Sequence, residues 1–257
     1  MVEENAQGID DTRRIWDRHA GLDPLRAVLD PNDENGWKNR LIDAMHWQAL
    51  APLLDGADRL LDVGAGTGRF ARRFVALGVD YTGVDDSPPM VAKARQTNPD
   101  LADRFSVADA CHLPFGDGEY DSCLTCYVVQ HLMHTEQAPA MVAEFHRVLG
   151  PGGKLLAIEQ VSYSGRSSGT VPFPSSEADY VTTLGAEFRV VGMTRIRCSF
   201  FGRPTRWLLN NAQRAPRVSS TLMEHAARRE IRRARNAPAM LRRKAEYFDL
   251  LIAAEAR

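Results

Sequence analysis

"RLLDVGAGTGRF", residues 59–70, marks a change in the rhythm of the chain. Before it, apolar residues recur at helical spacing: Leu41, Met45, Leu50 and Leu53/Leu54 fall near one face of a helix expected over about 41–54. The quoted stretch opens on a short apolar run, the pattern of a strand covered on both faces. It ends in Gly64, Gly66 and Gly68, which permit a tight turn and close backbone approach to a ligand. "GRFARRFVALG" then reads as a helix closed by Gly78. Strand, glycine turn and helix in that order open a βαβ unit.

The same alternation continues outward. "DYTGVD" is a second strand; Ser87 can cap the next helix with Pro88 at its first position. "RFSVADA" is a third strand and "YDSCLTCYVV" a fourth. A helix with Thr135 as a capping candidate places Met141, Phe145, Val148 and Leu149 at helical spacing, and "GPGG" stops it before a fifth strand, "KLLAIEQV". Residues 177–186 suggest a helix, "EFRVVGMTRIRC" a sixth strand, and "EYFDLLIAA" a seventh. Upstream, residues 9–20 look helical and "DPLRAVLDPNDENG" a short helix followed by a loop. The expected fold is α/β: a doubly wound, Rossmann-like sheet of seven strands, mostly parallel with an antiparallel last strand, and helices on both faces. We read 1–257 as one domain, with an N-terminal helical cap (1–55), a ligand-binding core (56–162), and a region (163–257) with a helical insertion at 203–244 before the last strand.

Composition sets limits. With 44% hydrophobic and 25% charged residues over 257 positions, the chain can bury a large core. No apolar run nears the ~20 residues that span a bilayer. The polar, acidic start lacks the apolar stretch of a secretory signal, and four cysteines without a scaffold pattern favour a reducing cytoplasm. The net charge of −1 hides an asymmetry: residues 203–244 carry twelve Arg/Lys against two Glu, +10, so the remainder sums to −11.

In a doubly wound sheet the ligand sits at the strand ends where the strand order reverses. The glycines here run G-x-G-x-G with Arg69 following, not the G-x-G-x-x-G of a dinucleotide site, and no P-loop is present. Asp62, Asp85 with Asp86, and Asp109 fall at the ends of the first three strands. Such carboxylates accept from a ribose diol and an amino group, welcome a sulfonium and repel a pyrophosphate. "LLDVGAGTGRF", "YTGVDDSPPMV", "VADACHLPF", "YDSCLTCYVVQHL" and "HRVLGPGGKLL", in this order, resemble the class I S-adenosylmethionine-dependent methyltransferases of the small-molecule, methyltransferase-11-like branch. The resemblance covers roughly residues 40–162 and the final strand.

It implies S-adenosyl-L-methionine as cofactor. Gly64, Ala65, Gly66 and the loop through Gly68 would line its methionine part, with Asp62 near the amino group. Asp85, with Asp86 beside it, would bind the ribose hydroxyls. Met90 would pack on the adenine, Asp109 would accept from its amino group next to Ala110, and Tyr127 would contribute backbone near the methionine moiety. The implied reaction is methyl transfer to an oxygen, or else a nitrogen, of a small molecule such as a sugar or secondary metabolite.

"CYVVQHLMH", residues 126–134, brings Cys123 and Cys126 close to His131 and His134 in sequence. A metal site is disfavoured, because strand residues three apart face opposite sides whereas zinc's C-x-x-C sits on a turn. His131 instead follows the fourth strand onto the active rim. It is a candidate base, with Glu159 at the end of the fifth strand as its expected neighbour and His134 as a second candidate or a cap. Trp16, His19, Trp37, Trp47 and Tyr163 are candidate roof residues of the acceptor pocket. The Arg-rich insertion fits an anionic small acceptor, an anionic membrane or lipid-linked group, or a plain surface or subunit contact. Nucleic acid is disfavoured, since no RNA-binding module is recognisable. An NAD(P)-dependent oxidoreductase is the rival enzyme class, and monomer and homodimer stay open.

Overall fold

The computed structural model describes residues 13–54, 59–163, 175–212 and 216–257, without the side chains of 216–220, 241, 243 and 244. Residues 9–12 of the expected first helix, and Arg214 and Arg217 of the insertion, lie outside what is described.

Seven strands form one sheet: β1 (Arg59–Val63), β2 (Asp80–Asp85), β3 (Phe105–Val107), β4 (Ser122–Cys126), β5 (Lys154–Val161), β6 (Phe188–Cys198) and β7 (Phe248–Ala256). The order is β3-β2-β1-β4-β5-β7-β6, and β7 alone runs antiparallel, to both β5 and β6. β1 pairs with β2 on one side and β4 on the other, both in parallel. The order therefore reverses between β1 and β4, and the C-terminal ends of those strands border the ligand crevice.

The helices are α1 (13–19), α2 (Pro24–Val28), α3 (Trp37–Leu50), α4 (Ala71–Ala76), α5 (Pro88–Thr97), α6 (Val129–Leu132), α7 (Ala138–Leu149), α8 (Glu177–Leu184), α9 (Arg203–Asn211), α10 (Pro216–Arg235) and α11 (Ala239–Lys244). Ser87 caps α5 as expected, its hydroxyl accepting from Met90 N at 3.3 Å. The helix expected from Thr135 starts at Ala138; Thr135 ties the preceding turn instead, accepting from Gln137 N. The helix expected over 41–54 begins a turn earlier, at Trp37, and ends at Leu50.

Alternation along the strands divides the core between the two faces of the sheet. Leu61, Val63, Cys123, Leu155, Ala157 and Val161 join Phe145 of α7 and Tyr180 of α8 on one face. Leu60, Leu124, Leu156 and Ile158 join Phe70, Phe74 and Tyr81 on the other. Cys123 and Cys126 accordingly lie on opposite sides, Cys123 buried in the first cluster and Cys126 against the second. Among the described residues no three His, Cys, Asp or Glu side chains converge as metal ligands. A third cluster joins Leu41, Ile42 and Met45 of α3 to Leu208 of α9 and Met223, Ala226 and Ile231 of α10. A fourth packs Ala20, Ala27, Trp16 and Val28 on Met90, laying the N-terminal helices over the crevice.

Candidate functional site

The crevice is a cavity of about 380 Å³ at the ends of β1, β2 and β4, roofed by α1 and α2. Asp62, Gly64, Ala65, Gly66, Asp85, Asp86, Met90, Asp109, Ala110, Tyr127 and His131 all line it. Each comes from a strand end, the turn after it or the first turns of the helix that follows, which is why an ordered set of short motifs converges on one space.

Local geometry explains the residue types. Gly64 has φ +71°, and a Cβ there would come within 2.3 Å of Val128 Cγ2, so any side chain would be strained and would strike the wall. Gly66 N donates to Asp85 Oδ2 at 2.8 Å and Ser87 N to Oδ1 at 3.0 Å, locking the β1 turn to the β2 end. Each Asp85 oxygen keeps acceptor capacity toward the cavity. Burial pushes Asp85 up to about 6 against the pull of those two backbone donors, with Asp86 and Asp17 adding to the rise. Burial likewise pushes Asp62 up to about 7, opposed by the Tyr81 hydroxyl at 2.8 Å. Asp86 is raised mainly by burial, while Arg13 opposes. Asp62, Asp85 and Asp86 thus face a confined space at a cost that a cationic, hydrogen-bond-donating ligand would relieve, and Asp109 lines the same space. These residues fit S-adenosylmethionine: acceptors at Asp85 and Asp109 for diol and amino donors, a glycine turn open to backbone approach, and a negative field for the sulfonium.

Gly68, Glu159 and His134 lie outside the cavity lining. A Cβ at Gly68 would meet the Phe105 ring at 2.6 Å, and its carbonyl accepts from Asn98, so it braces the loop from behind. Glu159 was expected to orient His131, but it is fully buried beneath the turn that follows β4. Its Oε1 accepts from Val128 N (3.2 Å) and Val129 N (3.1 Å) and its Oε2 from Gln130 N (3.0 Å), the donors exposed at the start of α6. Burial pushes its carboxyl up to about 8, against those donors and Thr125. Its work is to hold α6, and hence the turn carrying His131. His134 Nε2 bonds Ser175 Oγ at 3.2 Å and is outside the cavity lining.

His131 is different. Both ring nitrogens are buried without a hydrogen-bond partner among the described residues, and the Trp16 ring meets its edge at 5.9 Å. Burial pushes it down to about 4, so it stands as neutral imidazole at ordinary pH. Of the expected roof residues only Trp16 lines the cavity. Trp37 packs against α9 and α10, Trp47 against Phe70 and Phe74, and Tyr163 joins Glu177 and Arg195. His19 is also outside the lining.

The sequence reading missed the polar layer beneath the floor. Arg69, next to the glycine turn, lines the cavity and reaches Asp43 (3.1 Å), His46 Nδ1 (3.1 Å) and Cys126 Sγ (2.9 Å). His46 Nε2 lies 3.0 Å from Asp249, which also takes a two-pronged contact from Arg197. Burial pushes His46 down to about 4, and with Arg69 donating to Nδ1, Nε2 carries the proton toward Asp249. Burial opposes ionisation of Asp249, yet the Arg197 charge and the His46 hydrogen bond hold it down at about 2. Tyr127, the one non-glycine residue with positive φ among those described (63°), turns its hydroxyl to His46 at 3.3 Å and lines the cavity. The signal available in the sequence was Asp249, a charge set between apolar residues at the start of β7.

Fold and cavity together resemble those of the class I S-adenosylmethionine-dependent methyltransferases. Residues 61–157 match the family Methyltransf_11, methyltransferase domain. Demethylmenaquinone methyltransferase of Beutenbergia cavernae is 34% identical over 137 residues, 53% of this chain and 52% of that protein. Its namesake in Thermus thermophilus is 35% identical over 141 residues, 53% of this chain and 60% of the relative. The chain thus spans a little over half the length of these relatives. Among solved structures, geranyl diphosphate C-methyltransferase from Streptomyces coelicolor A3(2), in complex with Mg2+, geranyl diphosphate and S-adenosyl-L-homocysteine, shares the fold. Its TM-score is 0.59 at 19% identity, covering 96% of this chain and 98% of that one.

Proposed function

We propose that the chain transfers a methyl group from S-adenosylmethionine to an apolar small-molecule acceptor of the secondary-metabolite type, with His131 facing the acceptor. The observation that carries this reading is the make-up of one cavity. Carboxylates at the ends of β1, β2 and β3 line it together with Trp16, Val128, Leu132 and a neutral imidazole that has no hydrogen-bond partner among the described residues. When bound, the cofactor supplies an electrophilic methyl on a good leaving group. Asp85 would hold the ribose hydroxyls, Asp109 the adenine amino group, and Asp62 the amino end of the methionine part. The glycine turn would bring backbone against that part.

His131 would accept the proton of a hydroxyl nucleophile, or fix a polar group of the acceptor by hydrogen bond; Trp16 and Leu132 would exclude water and align the acceptor. A sugar, one acceptor class expected from the sequence, would bring several hydroxyls to this largely apolar wall. A ring or isoprenoid-like compound with one polar site suits it better, and the demethylmenaquinone methyltransferases among the relatives support that direction.

Transfer of isotope-labelled methyl to a panel of phenolic, quinol-type and amine acceptors tests the activity. His131→Ala is expected to lower kcat about 100-fold while S-adenosylhomocysteine affinity stays within about twofold. A variant with unchanged kcat on every accepted substrate would remove His131 from the reaction.

A further inference from the structure

The Arg-rich insertion is a helical hairpin. Its inner face is explained: Leu208, Met223, Ala226 and Ile231 bury against α3, and buried Glu230 accepts from Thr205 and Gly202 to bind α10 to α9. Its outer face is not. Arg203 and Arg206 on α9, and Arg228, Arg232 and Arg235 on α10, are exposed and have no carboxylate partner among the described residues. On α10 these recur at spacings of three and four, so they form one ridge.

The hairpin also exposes apolar bulk. Trp207 is 66% exposed, the one exposed tryptophan among the described residues, and Leu222 is 43% exposed. Exposed arginines without counter-charges and an exposed tryptophan each point to a partner, by different physics. Arginine stems lie along apolar matter while their heads reach phosphate. Tryptophan settles where one end is wet and the other oily. The charge is local: residues 203–244 sum to +10 and the remainder to −11, so an anionic plane would draw the protein in by this face and repel the rest.

We propose that the outer face of the α9–α10 hairpin docks on an anionic lipid surface, with Arg206, Arg228, Arg232 and Arg235 meeting headgroup phosphates and Trp207 entering the headgroup layer. The face carries one exposed tryptophan rather than a row of aromatic side chains, which suits a layer of phosphates better than a nucleic acid strand whose successive bases need stacking platforms. The docking leaves the cavity chemistry alone, because none of these side chains lines it. Its α3 support also carries Asp43 and His46, which brace Arg69 at the cavity wall, so the docked face and the reaction chamber share one rigid element.

Sedimentation with vesicles decides it. The full chain is expected to partition onto phosphatidylcholine vesicles holding about 30% phosphatidylglycerol, to ignore pure phosphatidylcholine, and to release in ~0.5 M salt. Replacing Arg228, Arg232 and Arg235 together by Ala is expected to weaken partition about 100-fold. The matching Lys triple retains binding within severalfold, and Trp207→Ala weakens it roughly tenfold. The unfolding midpoint in urea and the affinity for S-adenosylhomocysteine are expected to stay at wild-type values in every variant. Failure to partition onto the anionic vesicles at low salt, or an Ala triple that partitions like wild type, overturns the proposal. So does a single-stranded RNA that binds the same face more tightly than the vesicles and displaces them.

Discussion

The rim of the sheet has two halves, hinged at the β1–β4 boundary, and each ends in a carboxylate with a raised pKa, half-buried at Asp85 and fully buried at Glu159. On the β2 side, Asp85 accepts two backbone N–H groups and still faces the cavity. On the β5 side, Glu159 accepts three backbone N–H groups and the Thr125 hydroxyl, and faces only its own chain. Both are strand-end acids pushed up by burial, to about 6 and about 8. What separates them is where the remaining lone pairs point. A perturbed carboxylate at a strand end is therefore ambiguous between binding a ligand and holding a turn until its donors are enumerated.

The largest expected effect breaks the first half of the comparison. Asp85→Ala removes the acceptor for two ribose hydroxyls and frees the glycine turn from the β2 end. Hydrogen bonds to a charged acceptor contribute roughly 1.5–3 kcal/mol each, so S-adenosylhomocysteine affinity is expected to fall about 1000-fold by calorimetry while the apo protein stays folded. Unchanged affinity would sink the assignment of the cofactor to this cavity.

Glu159→Gln probes the other half, with a smaller effect of another kind. The amide keeps one acceptor oxygen but turns an NH2 toward backbone donors, leaving buried N–H groups at the start of α6 unpaired. Stability to urea is expected to drop by about 2–3 kcal/mol, with S-adenosylhomocysteine affinity nearly unchanged once the fold is intact. A variant of wild-type stability and much reduced turnover would restore Glu159 to the reaction and erase the contrast drawn here.

The difference between the halves also explains what could be read in advance. The alternation of strands with helices and the acids at the ends of β1, β2 and β3 are local signals: an apolar run, a glycine turn and an acid about twenty residues on keep their meaning without knowledge of the neighbours. Glu159 could not be read this way. Alternation along β5 puts it on the face with Leu155 and Ala157, but only the four-residue helix α6, too short to leave a periodic signal, shows what it meets there. The same limit applies to Trp16 and His131, whose edge contact joins a helix near the start of the chain to a turn in its middle. Arg69 was visible as a departure from the dinucleotide pattern, yet its partners Asp43 and His46 come from α3 and needed the tertiary fold.

The mildest test is pH, and it sharpens the contrast because both acids titrate in an accessible range while only one faces the ligand. Asp85 ionises at about 6 and Asp62 at about 7 in the folded protein, chiefly because burial penalises their charge. A ligand that donates hydrogen bonds and carries a sulfonium prefers both ionised, so binding expels protons and affinity rises with pH until both acids are charged. S-adenosylmethionine affinity is expected to climb up to about tenfold per pH unit between 6 and 7, to steepen toward about a hundredfold per unit below 6, to flatten above about 7, and to be accompanied by proton release. Asp85→Asn should remove the steeper part below pH 6 and leave the single-proton rise of Asp62. Glu159, shielded from the ligand, affects stability instead. Its folded value lies above its unfolded one, so the stability it contributes in the protonated form is fully present at acid pH and is lost as pH rises through about 8. If ligand affinity kept climbing between pH 7 and 8 and Glu159→Gln removed that rise, the buried carboxylate would be coupled to the cavity after all, and the two halves of the rim would act as one.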